Sequence, residues 1–372
     1  MNHQTKLSLT LQHLKRLISF DTQNPPRNIT ASSDIFLYLQ SQLTDFDFSI
    51  IDAGNGCLAL LAERGTPDKL FNFHIDTVPV AANWNSNPFE MVVRDDKVYG
   101  LGSCDIKGAS ACMLSAVNQT KGDVALLFSS DEEHGNSEAV KAFIATKPKY
   151  KSVIVAEPTQ ALARVAHRGI QSARAIFKGV SGHASESRAL YDNAIHKASH
   201  WMTAVLAWVK ANQHAYESLV GMPFNIGKIE GGIKANMIAD HCELAFGFRP
   251  LPGQNAQKIL EDIVKMGNLS TDSIEIHSGF SGPTLPAANQ PFEQSIIEAK
   301  NLAEKLGISI GEPVNFWTEA SLFSQAGLTT LVYGPGNIEQ AHTANEWVNI
   351  DQLVEVEKQY CKIIAQSSQE SL

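Results

Sequence analysis

The stretch "LFNFHIDTVPV", residues 70–80, opens as a buried strand and ends in a histidine and an aspartate two residues apart, with Pro79 closing it. Apolar runs of this kind occupy the interior of parallel sheets, and open α/β sheets build their sites at the carboxyl ends of such strands. His74 is then either a lone hydrogen-bonding residue at a strand tip or the first of a set of ligands.

The same ending recurs along the chain. "VALLFSSDEEH" runs into Asp131, Glu132 and Glu133, "SVIVAEP" into Glu157, and "TTLVYGPGNIEQAHTANE" reaches His342. Asp105 sits in "YGLGSCDIKG", between a glycine-rich turn and a helix that starts near Lys107. Each has a bland alternative: a structural strand-end histidine, a solvated pair of acids, an ordinary turn after a strand. Their repetition at successive sheet termini favours convergence on one site. Imidazole and carboxylate without thiol suit zinc, cobalt or manganese. Two histidines and at least three carboxylates are enough donors for two ions sharing a bridging aspartate. Such a pair activates water and polarises a carbonyl, which makes the chemistry hydrolytic.

The alternation continues around these motifs. Helices are expected at 8–18, 33–43, 107–118 and 137–146, and strands at 48–51, 57–62, 70–74, 124–130 and 152–157. From residue 170 the order becomes strand 171–180, helix 193–211, strands 224–230 and 242–249, a helix from 255 and strand 273–277. That βαββαβ order belongs to a ferredoxin-like split unit. "SGFSGPTLPAANQP", 278–291, reads as a linker, after which helix 292–306, strand 329–334 and helix 350–365 resume the first rhythm. The expected fold is α/β, with a mixed, mostly parallel sheet flanked by helices in 1–169 and 282–372, interrupted by an inserted α+β domain at 170–281.

At 372 residues the chain exceeds one ordinary core, which agrees with two domains. Hydrophobic residues at 44% and charged residues at 19% describe a soluble globular protein, and no apolar run is long enough to span a bilayer. The N-terminal residues read as an amphipathic helix, broken by Lys6, His13, Lys15 and Arg16, rather than as a leader. Five cysteines, never spaced as CxxC, argue against a disulfide framework and for the cytoplasm. A net charge of −9 offers no footprint for nucleic acid, and part of that acidity would be neutralised by bound metal.

With "HIDTVP", "GLGSCDIKG", "SSDEE", "VAEPT" and "GPGNIEQAHTANE" in this order, the chain resembles the co-catalytic zinc aminoacylase and carboxypeptidase family, essentially end to end. Finer stretches, "AHRGI", "GGIKANMIA", "FGFRPLPG" and "FWTEASLF", are most similar to its acetylornithine and acetylcitrulline deacetylase branch. The resemblance implies a zinc-exopeptidase-like catalytic domain holding two divalent ions, zinc in the first place, with cobalt or manganese able to substitute. By resemblance His74 and Glu157 hold one ion, His342 and Glu133 the other, and Asp105 bridges. Asp76 fixes the tautomer of His74. Glu132 is the general base, taking a proton from the metal-bridging water and giving it to the departing amine.

The inserted domain is implied to be a lid and homodimerisation module whose His183 crosses to the partner subunit to stabilise the oxyanion. Arg249 is implied to grip the substrate carboxylate, helped by Asn236, with Lys234 and Glu319 as side-chain-pocket candidates. His134, directly after the acids, departs from the family's usual small or hydroxyl residue. The implied reaction is hydrolysis of an N2-acetyl-L-amino acid, ornithine or citrulline derivative, in arginine biosynthesis. A succinyl-diaminopimelate desuccinylase or a dipeptidase of the same family is the alternative enzyme. A metal-dependent binding protein on the same scaffold is the non-catalytic alternative, and no ligand or base is missing to favour it.

Overall fold

A computed structural model of the chain describes residues 3–134, 136–270 and 272–367. The chain packs as two compact units: residues 1–165, 293–311 and 318–372 form the first, and residues 166–292 and 312–317 the second.

The first unit is built on a six-stranded mixed sheet. Its strands lie in the order Asp47–Asp52, Leu58–Arg64, Val124–Ser129, Lys69–His74, Ser152–Val155, Thr329–Val332. The last four of these run parallel, while Leu58–Arg64 is antiparallel to both of its neighbours. Every residue of Lys69–His74, Val124–Ser129 and Ser152–Val155 is buried, as expected of central parallel strands covered on both faces. The outer strand Asp47–Asp52 is largely exposed. Phe73 stacks on Phe128 at 5.4 Å between ring centres, and Tyr360, on the C-terminal helix Ile350–Ser367, sets its ring edge-on against Phe71 and Phe73. The helix Lys107–Gln119 is buried along all but its last turn, so Asp105, two residues before it, is delivered from a rigid base.

The parallel register carries the functional argument. Lys69–His74 pairs in phase with Val124–Ser129 and with Ser152–Val155, which brings His74 level with Ser129 and Asn72 level with Val155. The carboxyl ends of these strands therefore lie along one edge of the sheet, and their onward loops share it.

The second unit has a four-stranded antiparallel sheet in the order Phe224–Gly231, His241–Phe248, Ile170–Lys178, Ile274–Gly282. Its helices are Ala194–Ala211 and Ala256–Lys265, begun by Asn193 and Asn255, whose side chains accept from the backbone N–H groups of the first turn. Trp201 is fully buried between Phe177 and Phe246, and burial of a side chain of this size contributes about 1.5–3 kcal/mol. The strand order is that of a ferredoxin-like split unit. One sequence expectation needs correction: Ser278–Gly282 is not linker but the end of the last strand, which a bulge after Ser278 carries on to Gly282 against Ile170. Its Gly and Ser content, ordinarily a loop signal, is tolerated because the strand lies at the sheet edge.

Candidate metal centre

His74 closes its strand with its side chain buried. Its Nε2 lies 2.9 Å from Asp105 Oδ1. His342 approaches from the opposite side: its Nε2 is 3.4 Å from Asp105 Oδ2 and 3.0 Å from Glu133 Oε2. Asp105 thus presents one oxygen to each imidazole. The ligand atoms of His74, Asp105 and Glu133 all lie within 4.8 Å of one another. Glu157 follows its strand by two residues and is buried, with its backbone so close to Gly334 that a Cβ there would meet Glu157 O at 2.7 Å.

Asp76 is fully buried and does more than face His74. The His74 Nδ1 lies nearer the Asp76 backbone carbonyl, at 3.0 Å, than its carboxylate, at 3.5 Å. The carboxylate accepts instead from Asn24 Nδ2 at 2.8 Å and from the backbone N–H groups of Glu132 and Glu133 at 3.3 and 3.0 Å. It therefore fastens the loop of the two glutamates to the end of the His74 strand. Asn24 and Arg27, from "NPPRN", donate in addition to the His134 carbonyl, while the His134 side chain is exposed. Asp131 takes no part in the cluster; it accepts from the N–H groups of Glu138 and Ala139 at the start of the helix Glu138–Ala145.

The electrostatics show what this cluster lacks. Burial, and then the neighbouring Asp105 charge, push the Glu157 carboxyl well above its ordinary range. Burial does the same for Glu132, with Glu133 and Glu157 adding to it against the pull of His74, and Glu133 is raised by burial as well. Hydrogen bonds to Asp105 and Glu133 lift His342 to about 11. His74 is held well above its usual value because its bonds to Asp105 and Asp76 outweigh its burial. No lysine or arginine pairs with Glu132, Glu133 or Glu157 among the described residues. Each unpaired buried carboxylate costs several kcal/mol, so the cluster needs protons or cations. Two imidazoles and several carboxylates with no thiol suit a divalent ion of the zinc, cobalt or manganese kind. The donor set fits.

Two residues without a role in the sequence reading stand close to the ligands. Glu346 is buried and accepts the backbone N–H groups of Gly102, Cys104 and Asp105, and burial lifts it to about 8 against those bonds. Asn72, inside the strand that leads to His74, donates to Glu319 Oε2 at 2.7 Å, and Ser129 donates to the same oxygen at 3.0 Å. Glu319 is itself buried and raised to about 7, first by burial and then by Asp131. A polar asparagine flanked by Phe71 and Phe73 was the available signal for this buried trio.

In the second unit, the structure brings His183 and Asn236 together. His183 pairs across a short ladder with Met237, the Ala184 N–H donates to the Asn236 carbonyl, and His183, Asn236 and Lys234 are all exposed. Arg249 follows the strand His241–Phe248, half-buried, with its carbonyl accepting from Arg168 and its guanidinium lowered by burial.

The profile of peptidase family M20/M25/M40 matches residues 70–366, a span that includes all five proposed metal ligands. The chain belongs to this family. An N-acetyl-L-citrulline deacetylase of Xanthomonas campestris pv. campestris is 47% identical over 349 residues, covering 93% of this chain and 95% of that protein. The acetylornithine deacetylase of Photorhabdus laumondii is 33% identical over 307 residues, covering 77% of this chain and 76% of that one. Among solved structures, aminopeptidase PepT from Bacillus cereus superposes with a TM-score of 0.73 at 19% identity, over 97% of this chain and 98% of that one, and speaks to the fold. The M20 chain is accordingly a metal-dependent amidohydrolase. No helix among its described residues is long and apolar enough to cross a membrane.

Proposed function

We propose that the chain deacetylates an N2-acetyl-L-amino acid, with N-acetyl-L-citrulline as first substrate and N-acetyl-L-ornithine as second, releasing acetate and the free amino acid within arginine biosynthesis in the cytoplasm. The observation that carries this reading is the 47% identity, over nearly the whole length of both chains, to a protein described as acting on the citrulline derivative. The ornithine derivative follows from the 33% relative.

His74, Glu157, His342 and Glu133 would hold two divalent ions, zinc in the first place, with Asp105 between them. Bound there, the ions would supply Lewis-acid polarisation of the amide carbonyl and a water acidified towards a pKa of ~7. Glu132 takes the proton of the attacking water and delivers it to the departing amine, and burial holds its carboxyl well above the ordinary range. Arg249, whose guanidinium has no carboxylate partner among the described residues, binds the substrate α-carboxylate through its planar fork. Asn236 assists it, and Lys234 reaches the far end of the substrate. Glu319, with Oε2 held by Asn72 and Ser129 and Oε1 without a hydrogen-bond partner, contributes to the side-chain pocket.

The second unit serves as lid and dimerisation module, and its His183 stabilises the oxyanion of the partner subunit's tetrahedral intermediate. The surface around His183 supports a partner: Met237 stands across from it 37% exposed, Ile233 is 77% exposed, and Ile195 packs beside Gly232. Apolar patches of this kind mark interfaces. Mixing a His183→Ala variant with a Glu132→Ala variant should restore part of the activity, because each hybrid dimer holds one intact site. A fully active monomer in sedimentation runs would rule this arrangement out.

A turnover panel of acetylcitrulline, acetylornithine, acetylglutamate, acetylmethionine and their succinyl counterparts, on zinc- and cobalt-loaded enzyme, tests the substrate. Acetylcitrulline should lead the ornithine derivative by roughly 10–100-fold in kcat/KM, the span that a few pocket contacts achieve. Faster turnover of succinyl than of acetyl substrates would defeat the reading in favour of a desuccinylase.

A further inference from the structure

Glu346 lies four residues after His342, and it is buried to 2% exposure. Its Oε1 accepts from the backbone N–H of Cys104 at 2.8 Å and of Asp105 at 3.0 Å, and its Oε2 from that of Gly102 at 2.8 Å. Its own backbone carbonyl accepts from Gly100 N–H at 3.1 Å. One residue therefore receives four amides of the turn that presents Asp105. The strand Trp347–Asn349 begins at the next residue and pairs with Lys97–Tyr99, the segment that enters the same turn. The turn itself requires Gly102, which sits at φ +79 with Lys107 Cδ only 2.8 Å from where a Cβ would stand.

We propose that Glu346 is a positioning residue that sets the separation of Asp105 and His342, and with it the spacing of the two cations of this centre. The inference rests on the metal-centre reading above. His342 and Asp105 reach the cluster from loops more than 200 residues apart in sequence, yet Glu346 fastens the two loops to each other by side chain and main chain together. Both carboxylate oxygens are engaged as acceptors by three converging backbone donors. Glutamine would turn an NH₂ group against one or more of the same N–H groups, and aspartate would withdraw the acceptor by one methylene.

The test is a cobalt(II) titration of metal-stripped wild type, Glu346→Gln and Glu346→Asp, read by visible absorption and by counting bound ions. Wild type should take up two equivalents. Glu346→Gln should show a changed cobalt band and a loss of roughly 10–100-fold in affinity for one equivalent, the scale seen when a ligand loses its outer support. Its kcat should fall with KM within about twofold, and its metal-free thermal unfolding should match that of wild type. An unchanged band, stoichiometry and affinity in Glu346→Gln would overturn the proposal while leaving the centre itself intact. Failure of wild type to bind cobalt would instead sink the metal-centre reading. If Glu346→Gln does not fold, Glu346→Asp is read in the same way, and loss of the fold in both variants would reduce Glu346 to a general structural residue.

Discussion

Replacing Glu132 with alanine is expected to lower kcat by roughly 10²–10⁴-fold, the range for a lost general base, while bound metal stays near the wild-type level. The separation of the two effects follows from the geometry. Glu132 forms no hydrogen bond or ion pair to either imidazole, whereas its neighbour Glu133 lies 3.0 Å from His342 Nε2. Both backbone amides are fixed on Asp76, so removing the Glu132 side chain should leave the loop and Glu133 in place. Metal analysis beside steady-state kinetics checks it. Full activity in the variant would remove Glu132 from the reaction, and a parallel loss of metal would make it a ligand.

Asp105→Asn should be the more damaging change. One oxygen of Asp105 faces each imidazole, so an amide keeps a single acceptor and no charge. Outer partners of metal ligands are worth about 10–100-fold in affinity, and loss of a shared ligand should exceed that for at least one ion. Calorimetric titration can read this together with proton release. In the metal-free protein the pKa of His342 is lifted to about 11 by Asp105 and Glu133, above an ordinary value of 6.5, so the ring is protonated at pH 7. A raised folded pKa favours the charged ring. Its contribution to metal-free stability is complete below about 6.5 and disappears as pH rises through about 11. An incoming ion must displace that proton, so affinity should climb with pH across the neutral range and binding should release protons. Wild-type binding with no proton release in buffers of different ionisation enthalpy would contradict the assignment of His342 as ligand.

Much of this was legible in the sequence, for a physical reason. A buried parallel sheet writes its central strands as apolar runs, and its site residues stand just beyond the carboxyl ends of those runs. The proposed ligands His74, Glu133 and Glu157 therefore stand out by position. Residues that act through main-chain amides do not. Glu346 carries no periodic or compositional mark, because its partners are N–H groups that every residue but proline possesses. Asp131 looked equivalent to its two neighbours, and only the path of the chain shows it capping the following helix. Glu319 sat in a stretch shared with deacetylases, yet its bonds to Asn72 and Ser129 lie beneath the sheet edge, in contacts spanning 247 and 190 residues. The end of the second unit was obscured by Gly and Ser, which an edge strand can carry.

The first unit is assembled from stretches on both sides of the second, and the strand Thr329–Val332 joins it beside Ser152–Val155. At a ribosomal pace of ~5–20 residues per second, Val155 precedes its neighbour Val332 out of the ribosome by roughly 10–35 s. Throughout that interval a nascent chain holds a largely apolar strand with a bare hydrogen-bonding rim, the arrangement most prone to pairing with another copy. Of the proposed ligands it holds His74, Asp105, Glu133 and Glu157 without His342. The proposed ligand set is thus complete only once His342 has left the ribosome. A message truncated before codon 342 would yield a sticky fragment lacking one proposed ligand rather than a slow enzyme.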